Sequence, residues 1–79
     1  RVGAMGELAV PLGFGDRLWR AREAAGMTVA DLARASGWSE QCIRRWEQGW
    51  HLPSLVAAVD VAQALGTTVE RLVDGEGRP

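Results

Sequence analysis

Between residues 14 and 74 the apolar positions recur every three or four residues, the spacing of helix faces rather than strands. Leu18, Ala21 and Ala25 mark one face of a first helix, expected over about 16–25 with Asp16 as N-cap and Gly26 at its end. A second helix starts at Thr28, whose hydroxyl can cap the amides ahead while Asp31 answers three residues on, a Thr-x-x-Asp variant of the capping box. Leu32 and Ala33 face inward, and Gly37 supplies the positive φ that closes the turn. Helix 3 runs from its N-cap Ser39 to Gln48 and stops at Gly49; Ile43 and Trp46, three apart, share its inward face. Pro53-Ser54 opens a fourth helix with Leu55, Val59, Ala62 and Leu65 on the expected core face and Gly66 at its end. Thr68 caps a short fifth through Val69, Leu72 and Val73.

The expected fold is therefore all-α, a compact five-helix bundle over 14–74 with no internal repeat. Residues 1–13 carry three Gly and a Pro without helical period, and are expected to be a loose N-terminal arm or residues added by cloning. Residues 75–79 are expected to form a disordered tail. The centre of the chain, Val29 to Gln48, reads as two short helices meeting at a tight turn, with small Ala33 where they cross. That is the layout of a helix-turn-helix, whose second helix can lie in the major groove of DNA.

Composition narrows the classes. Seventy-nine residues allow one small domain, and a chain this short buries only a little over ~60% of its unfolded surface. With 47% hydrophobic and 24% charged residues, disorder is not the expectation for the bulk of the chain. No apolar run approaches the roughly 20 residues that span a bilayer, and no signal segment opens the chain, so a soluble, cytoplasmic and nucleoid-associated protein is expected. The single Cys42 excludes an internal disulfide, and with the single His51 it excludes a cysteine-rich zinc site; Cys42 reads as a small, partly buried helix residue. Neither metal nor cofactor is expected. No histidine–nucleophile pair, ligand cluster or phosphate-cradling glycine loop is present, Gly13-Phe14-Gly15 being too short for one, so an enzyme is not expected.

Charge sets a qualification. The net charge is −1, without the strong basic footprint common among DNA binders. Its distribution is uneven: from Asp16 to His51 six Arg face five acids, a balance of +1, whereas from Leu52 onward two Arg face four acids, a balance of −2.

Leu18 and Arg22, Gly26-Met27-Thr28, Leu32-Ala33, Gly37-Trp38-Ser39, Ile43, Glu47-Gln48-Gly49, Pro53-Ser54, Ala62, Leu65-Gly66 and Leu72 form an ordered set over some sixty residues. In these the chain resembles the DNA-binding domain of phage lambda-type repressors and Cro, the xenobiotic-response-element family of bacterial regulators. The resemblance implies an ion pair between Arg22 in helix 1 and Glu47 near the end of helix 3, structural rather than base-reading. It also implies base reading by Glu40, Gln41 and Arg45, with Arg44 close enough for a base or a phosphate. Chemistry suggests Gln41 for adenine N6/N7, Arg45 for guanine O6/N7 and Glu40 for a cytosine amine. Against this, Glu40 also reads as an acid favoured in a first helical turn by the helix dipole, and Arg45 also suits a phosphate. DNA backbone contacts are expected from Thr28, Val29, Ser39, Arg44 and Ser54, at or near helix N-termini with free donors, and from the loop residues Trp50 and His51.

The sequence departs from the family in that loop. It is usually basic there, whereas Trp50-His51-Leu52 holds no fixed cation, which implies a weaker electrostatic anchor. Four Trp are also unusual for this length. Trp46 and Trp38 read as packing, while Trp19 and Trp50 are open between extra packing and a docking surface. Two functions follow. The first is a sequence-specific transcriptional regulator, a repressor above all, binding double-stranded DNA as a homodimer. The second is an adaptor or antitoxin-like module whose exposed Trp residues dock a protein partner.

Overall fold

The computed structural model of the 79-residue chain describes residues 13–74. The arm expected at 1–13 (except Gly13) and the tail at 75–79 lie outside the described residues. Five helices follow in order: α1 (Phe14–Ala24), α2 (Val29–Ser36), α3 (Glu40–Glu47), α4 (Leu55–Leu65) and α5 (Val69–Asp74). α1 packs on α3 and α5, α2 packs on α3 and α4, and α4 closes on α5. No helix among the described residues is long and apolar enough to cross a membrane.

Helix boundaries follow local chemistry. Thr28 and Asp31 form the reciprocal capping box: the Thr28 hydroxyl accepts from the Asp31 amide at 3.0 Å, and the Thr28 amide donates to the Asp31 carboxylate at 2.9 Å. Ser39, Ser54 and Thr68 each accept from the amide three residues on, at 3.1, 3.2 and 3.2 Å. Gly37 ends α2 at φ 83°, a left-handed conformation that a Cβ would strain.

Three expectations fail. α1 begins at Phe14, not at Asp16, and its N-cap is Gly13 with no side-chain cap. Asp16 instead lies in the first turn and pairs with Arg20 at 3.0 Å. The cause is tertiary: Phe14 is buried in the core and draws the first turn inward. Gly15 then comes so close to α3 that a Cβ there would stand 2.4 Å from the Glu47 carbonyl oxygen and 2.8 Å from that of Trp46. The buried face of α1 is Phe14, Leu18 and Arg22, four residues apart, and Ala25 is exposed. On α4 the buried residues are Ala57, Ala58, Val61 and Ala62; Leu55 is exposed, and Val59 and Leu65 are half-buried. Nine of the eleven α4 residues are apolar, so periodicity alone could not single out a face.

The core joins Phe14, Leu18, Leu32, Ile43, Trp46, Ala57, Val61, Ala62 and Leu72, with Ala33, Trp38 and Cys42 partly buried against it. Each fully buried large side chain contributes about 1.5–3 kcal/mol relative to exposure. Trp38 meets Trp46 edge to face at 5.9 Å, and its indole N–H donates to Asp60 at 2.9 Å, tying the turn before α3 to α4.

Candidate nucleic-acid interface

α3 is held from behind in two ways. Ile43 and Trp46 enter the core. At its C-terminal end, Glu47 receives the Arg22 guanidinium through Nε at 2.6 Å and Nη2 at 3.1 Å, a bidentate pair. Arg22 Nη1 also donates to the Met27 carbonyl at 2.9 Å, so one side chain links α1, the α1–α2 turn and α3. Both side chains of the pair are about nine-tenths buried. The hydrogen bond to Glu47 raises the Arg22 pKa above its ordinary value, against the opposing effect of burial. The residues that the resemblance paired are thus in contact, and neither is free to read a base.

The outward face of α3 presents Glu40, Gln41, Arg44, Arg45 and Gln48, all exposed. They divide into two groups. Glu40 and Arg44, four apart, bridge at 3.0 Å. This side turns toward the other helices: an open groove of ≈ 550 Å³ is lined by Thr28, Val29 and Ala30 at the start of α2 together with Glu40 and Arg44. The structure therefore brings together Thr28, Val29, Glu40 and Arg44 from the expected contact set. Gln41 and Arg45, also four apart, line neither this groove nor its neighbour. Arg20, Arg22, Arg34 and Arg44 are each paired with a carboxylate. On α3, Arg45 has no such partner among the described residues.

A second groove, ≈ 330 Å³, runs between α1 and α3 and is lined by Asp16, Trp19, Arg44, Glu47 and Gln48. Trp19 is 46% exposed there. Sequence reasoning left Trp19 open, and its position beside Arg44 and Gln48 was not readable from α1 alone. Gly15, which lets α1 touch the end of α3, was passed over as part of a glycine pair; nothing local marked it.

The remaining expected contacts stand apart from both grooves. Ser39 and Ser54 are exposed N-caps, engaged by the amides of their own helices. Trp50 and His51 are exposed, and the Trp50 amide donates to the Arg45 carbonyl at 2.9 Å, folding the loop onto the end of α3. Among the described residues no three His, Cys, Asp or Glu side chains gather closely enough to hold a metal ion.

Comparison with known proteins places this geometry. The family model of the helix-turn-helix domain matches residues 13–74. Among solved structures, the restriction-modification controller protein C.AhdI from Aeromonas hydrophila is 33% identical with a TM-score of 0.74, covering 77% of this chain and 92% of that one. The DNA-binding domain of the P22 C2 repressor shares the fold at 24% identity and a TM-score of 0.76, covering 80% of this chain and 83% of that one. Apo-HppE is 29% identical with a TM-score of 0.73, covering 82% of this chain but only 36% of its own length. No curated protein sequence matches.

Proposed function

Because the chain belongs to the helix-turn-helix domain family, in its lambda repressor/Cro-like form, we propose that it is a sequence-specific double-stranded DNA binder that regulates transcription. The observation that carries this reading is the division of α3. Its inner residues are fixed by the core and by the Arg22–Glu47 pair, while Gln41 and Arg45 stand exposed on its outward face, without a side-chain partner among the described residues. A helix held rigidly with free bidentate donors on its outer face suits the major groove.

In this reading Gln41 and Arg45 read bases, and Glu40 reads one only when the approaching duplex displaces it from Arg44. Arg44 serves the backbone beside the N-terminus of α2, where the Thr28 hydroxyl and Val29 amide offer donors to a phosphate. Ser39 and Ser54 add exposed N-cap hydroxyls. Trp50 and His51 hold no fixed cation, and any backbone contact from them is packing rather than charge. Repression by occupancy of the site is the proposed mode. The likeness to a controller protein at 33% identity supports a regulatory role.

The test is selection of bound duplexes from a randomised library at two salt concentrations. An enriched two-fold motif is expected. Arg45→Ala should lose roughly 1–3 kcal/mol of discrimination at one base pair while leaving the fold intact. Retention without any enriched sequence, vanishing at the higher salt, would overturn the reading.

A further inference from the structure

Of the five large hydrophobic side chains exposed among the described residues, Trp19 alone lies outside the stretch from Trp50 to Val56. The other exposed residues of α1 are Asp16, Arg20, Glu23 and Ala24. Trp19 belongs neither to the core nor to the residues packed against it. Its indole N–H has no hydrogen-bond partner among the described residues, whereas that of Trp38 donates to Asp60. Packing therefore does not account for it.

Its surroundings point to a ligand that accepts hydrogen bonds. Trp19 lines the groove between α1 and α3 with Asp16, Arg44, Glu47 and Gln48. Both carboxylates there are already neutralised, Asp16 by Arg20 at 3.0 Å and Glu47 by Arg22 at 2.6 Å. What the groove offers is donors: the indole N–H, the Gln48 amide and the Arg44 guanidinium. A lone ring among charged residues is too small an apolar surface for the centre of a protein interface.

Position supplies the acceptor. Arg44 and Gln48 also stand on the outward face of α3, so the groove shares an edge with the proposed reading surface. A helix about 10–12 Å across fills a major groove about 12 Å wide, which brings the sugar–phosphate walls against its flanks. Arg44 lines both this groove and the one at the start of α2, beside Gln48 in the first and Glu40 in the second. The two grooves thus follow one another along α3, about one turn or 5.4 Å apart. A backbone strand that meets the start of α2 passes Trp19 next.

We propose that Trp19 is a DNA-backbone contact, its ring lying against a deoxyribose and its N–H donating to the adjoining phosphate, beside Arg44 and Gln48. The contact rests on the DNA-binding reading and deepens it. It gives the domain an uncharged anchor on α1, where the loop after α3 holds no fixed cation. Such a contact adds affinity but displaces no counterion, so it leaves the salt dependence unchanged.

The test uses the duplex enriched from the library, remade with each backbone phosphate in turn replaced by an uncharged methylphosphonate. Wild type, Trp19→Phe and Trp19→Ala are titrated against the set at several salt concentrations. Trp19→Phe keeps a ring but not the N–H, and should bind the unmodified duplex about threefold to tenfold more weakly. That deficit should vanish at the one methylphosphonate that removes the indole's acceptor. Trp19→Ala should lose more, with the salt slope of wild type, whereas Arg44→Ala should lower the slope by about 0.9. Trp19 is 46% exposed and outside the core, so urea unfolding should show both variants folded. Variants that bind every duplex as wild type does overturn the proposal, and leave the reading of Gln41 and Arg45 standing. A deficit equal at every methylphosphonate position also overturns it, because the ring then acts on the protein and not on a phosphate. A library that enriches no sequence defeats the DNA reading, and this contact with it.

Discussion

α3 and α4 solve the same packing problem in opposite ways. α3 buries its large side chains, Ile43 and Trp46, and sets Glu40, Arg44 and Arg45 outward. α4 buries Ala57, Ala58, Val61 and Ala62 and leaves Leu55 and Val56 outside. In α3 the polar face is an ordinary consequence of amphipathic order, so its charges alone would say little about a partner. What marks α3 is that its position is fixed by a buried ion pair while Arg45 has no carboxylate partner among the described residues. In α4 three alanines and Val61 face inward while Leu55 and Val56 lie outside, an outward apolarity that amphipathic order does not produce. The two outward faces differ in kind, one charged and one apolar.

The largest effect should come from unfixing α3. Arg22→Ala leaves the Glu47 carboxylate about nine-tenths buried without its cation and the Met27 carbonyl without its donor. Loss of one partner of a buried pair costs about 3–5 kcal/mol, a large part of the total for a domain of this size. Urea unfolding should show this as a lowered midpoint. The double change Arg22→Met with Glu47→Leu should recover most of the loss, since replacing both charges removes their desolvation cost. If the single change costs under about 1 kcal/mol, the pair does not fix α3.

A smaller loss is expected where α4 meets the core. Ala57 is 1% exposed, so Ala57→Leu must force extra carbon atoms into a filled space and should cost about 1–3 kcal/mol by the same measurement. An unchanged midpoint would mean that α4 can slide outward, and that its small inner face is not what sets its distance from α2.

The capping box at the start of α2 gives a milder and pH-dependent effect. Thr28→Ala removes the hydroxyl that accepts from the Asp31 amide and should cost ~1 kcal/mol at neutral pH. The Thr28 amide and then its hydroxyl hold the Asp31 carboxyl below the ordinary aspartate range, with a smaller contribution from Arg34. A carboxylate lowered in the folded state stabilises above its unfolded pKa, and that contribution is lost as pH falls through the folded one. Acid titration of stability should therefore fall less steeply below the ordinary aspartate range in Asp31→Asn than in wild type. Parallel curves would mean that the box does not titrate with folding.

These cases show which parts of the molecule were legible in the sequence. The caps at Thr28, Ser39, Ser54 and Thr68 were, because each bond spans three residues and depends on little else. Arg22 and Glu47 are 25 residues apart, and they were joined by resemblance, not by spacing. The start of α1 was not legible, since it depends on Phe14 entering a core that other helices build and on the approach of Gly15 to Glu47. Nor was the face of α4, where nearly uniform apolarity hides the choice. On the outer face of α3, the resemblance already set Arg45 apart as a base reader from Arg44, a base or phosphate contact. The Glu40–Arg44 bridge adds a physical difference, an ion pair at i,i+4 spacing that the sequence permits and the structure shows formed.

The smallest expected effect is the sharpest test of the contrast between α3 and α4. Leu55→Ser, measured at a dilution where any dimer has dissociated, should change unfolding free energy by no more than about 0.5 kcal/mol, as for other exposed positions. The reason is its 73% exposure: water already covers most of the side chain, so removing it uncovers little. Ile43→Ala on α3, at 0% exposure, should by contrast cost about 2–5 kcal/mol. A loss above about 1 kcal/mol for Leu55→Ser would mean that Leu55 packs into the monomer, as its sequence period first indicated. α4 would then be an ordinary amphipathic helix, and its contrast with α3 would fall.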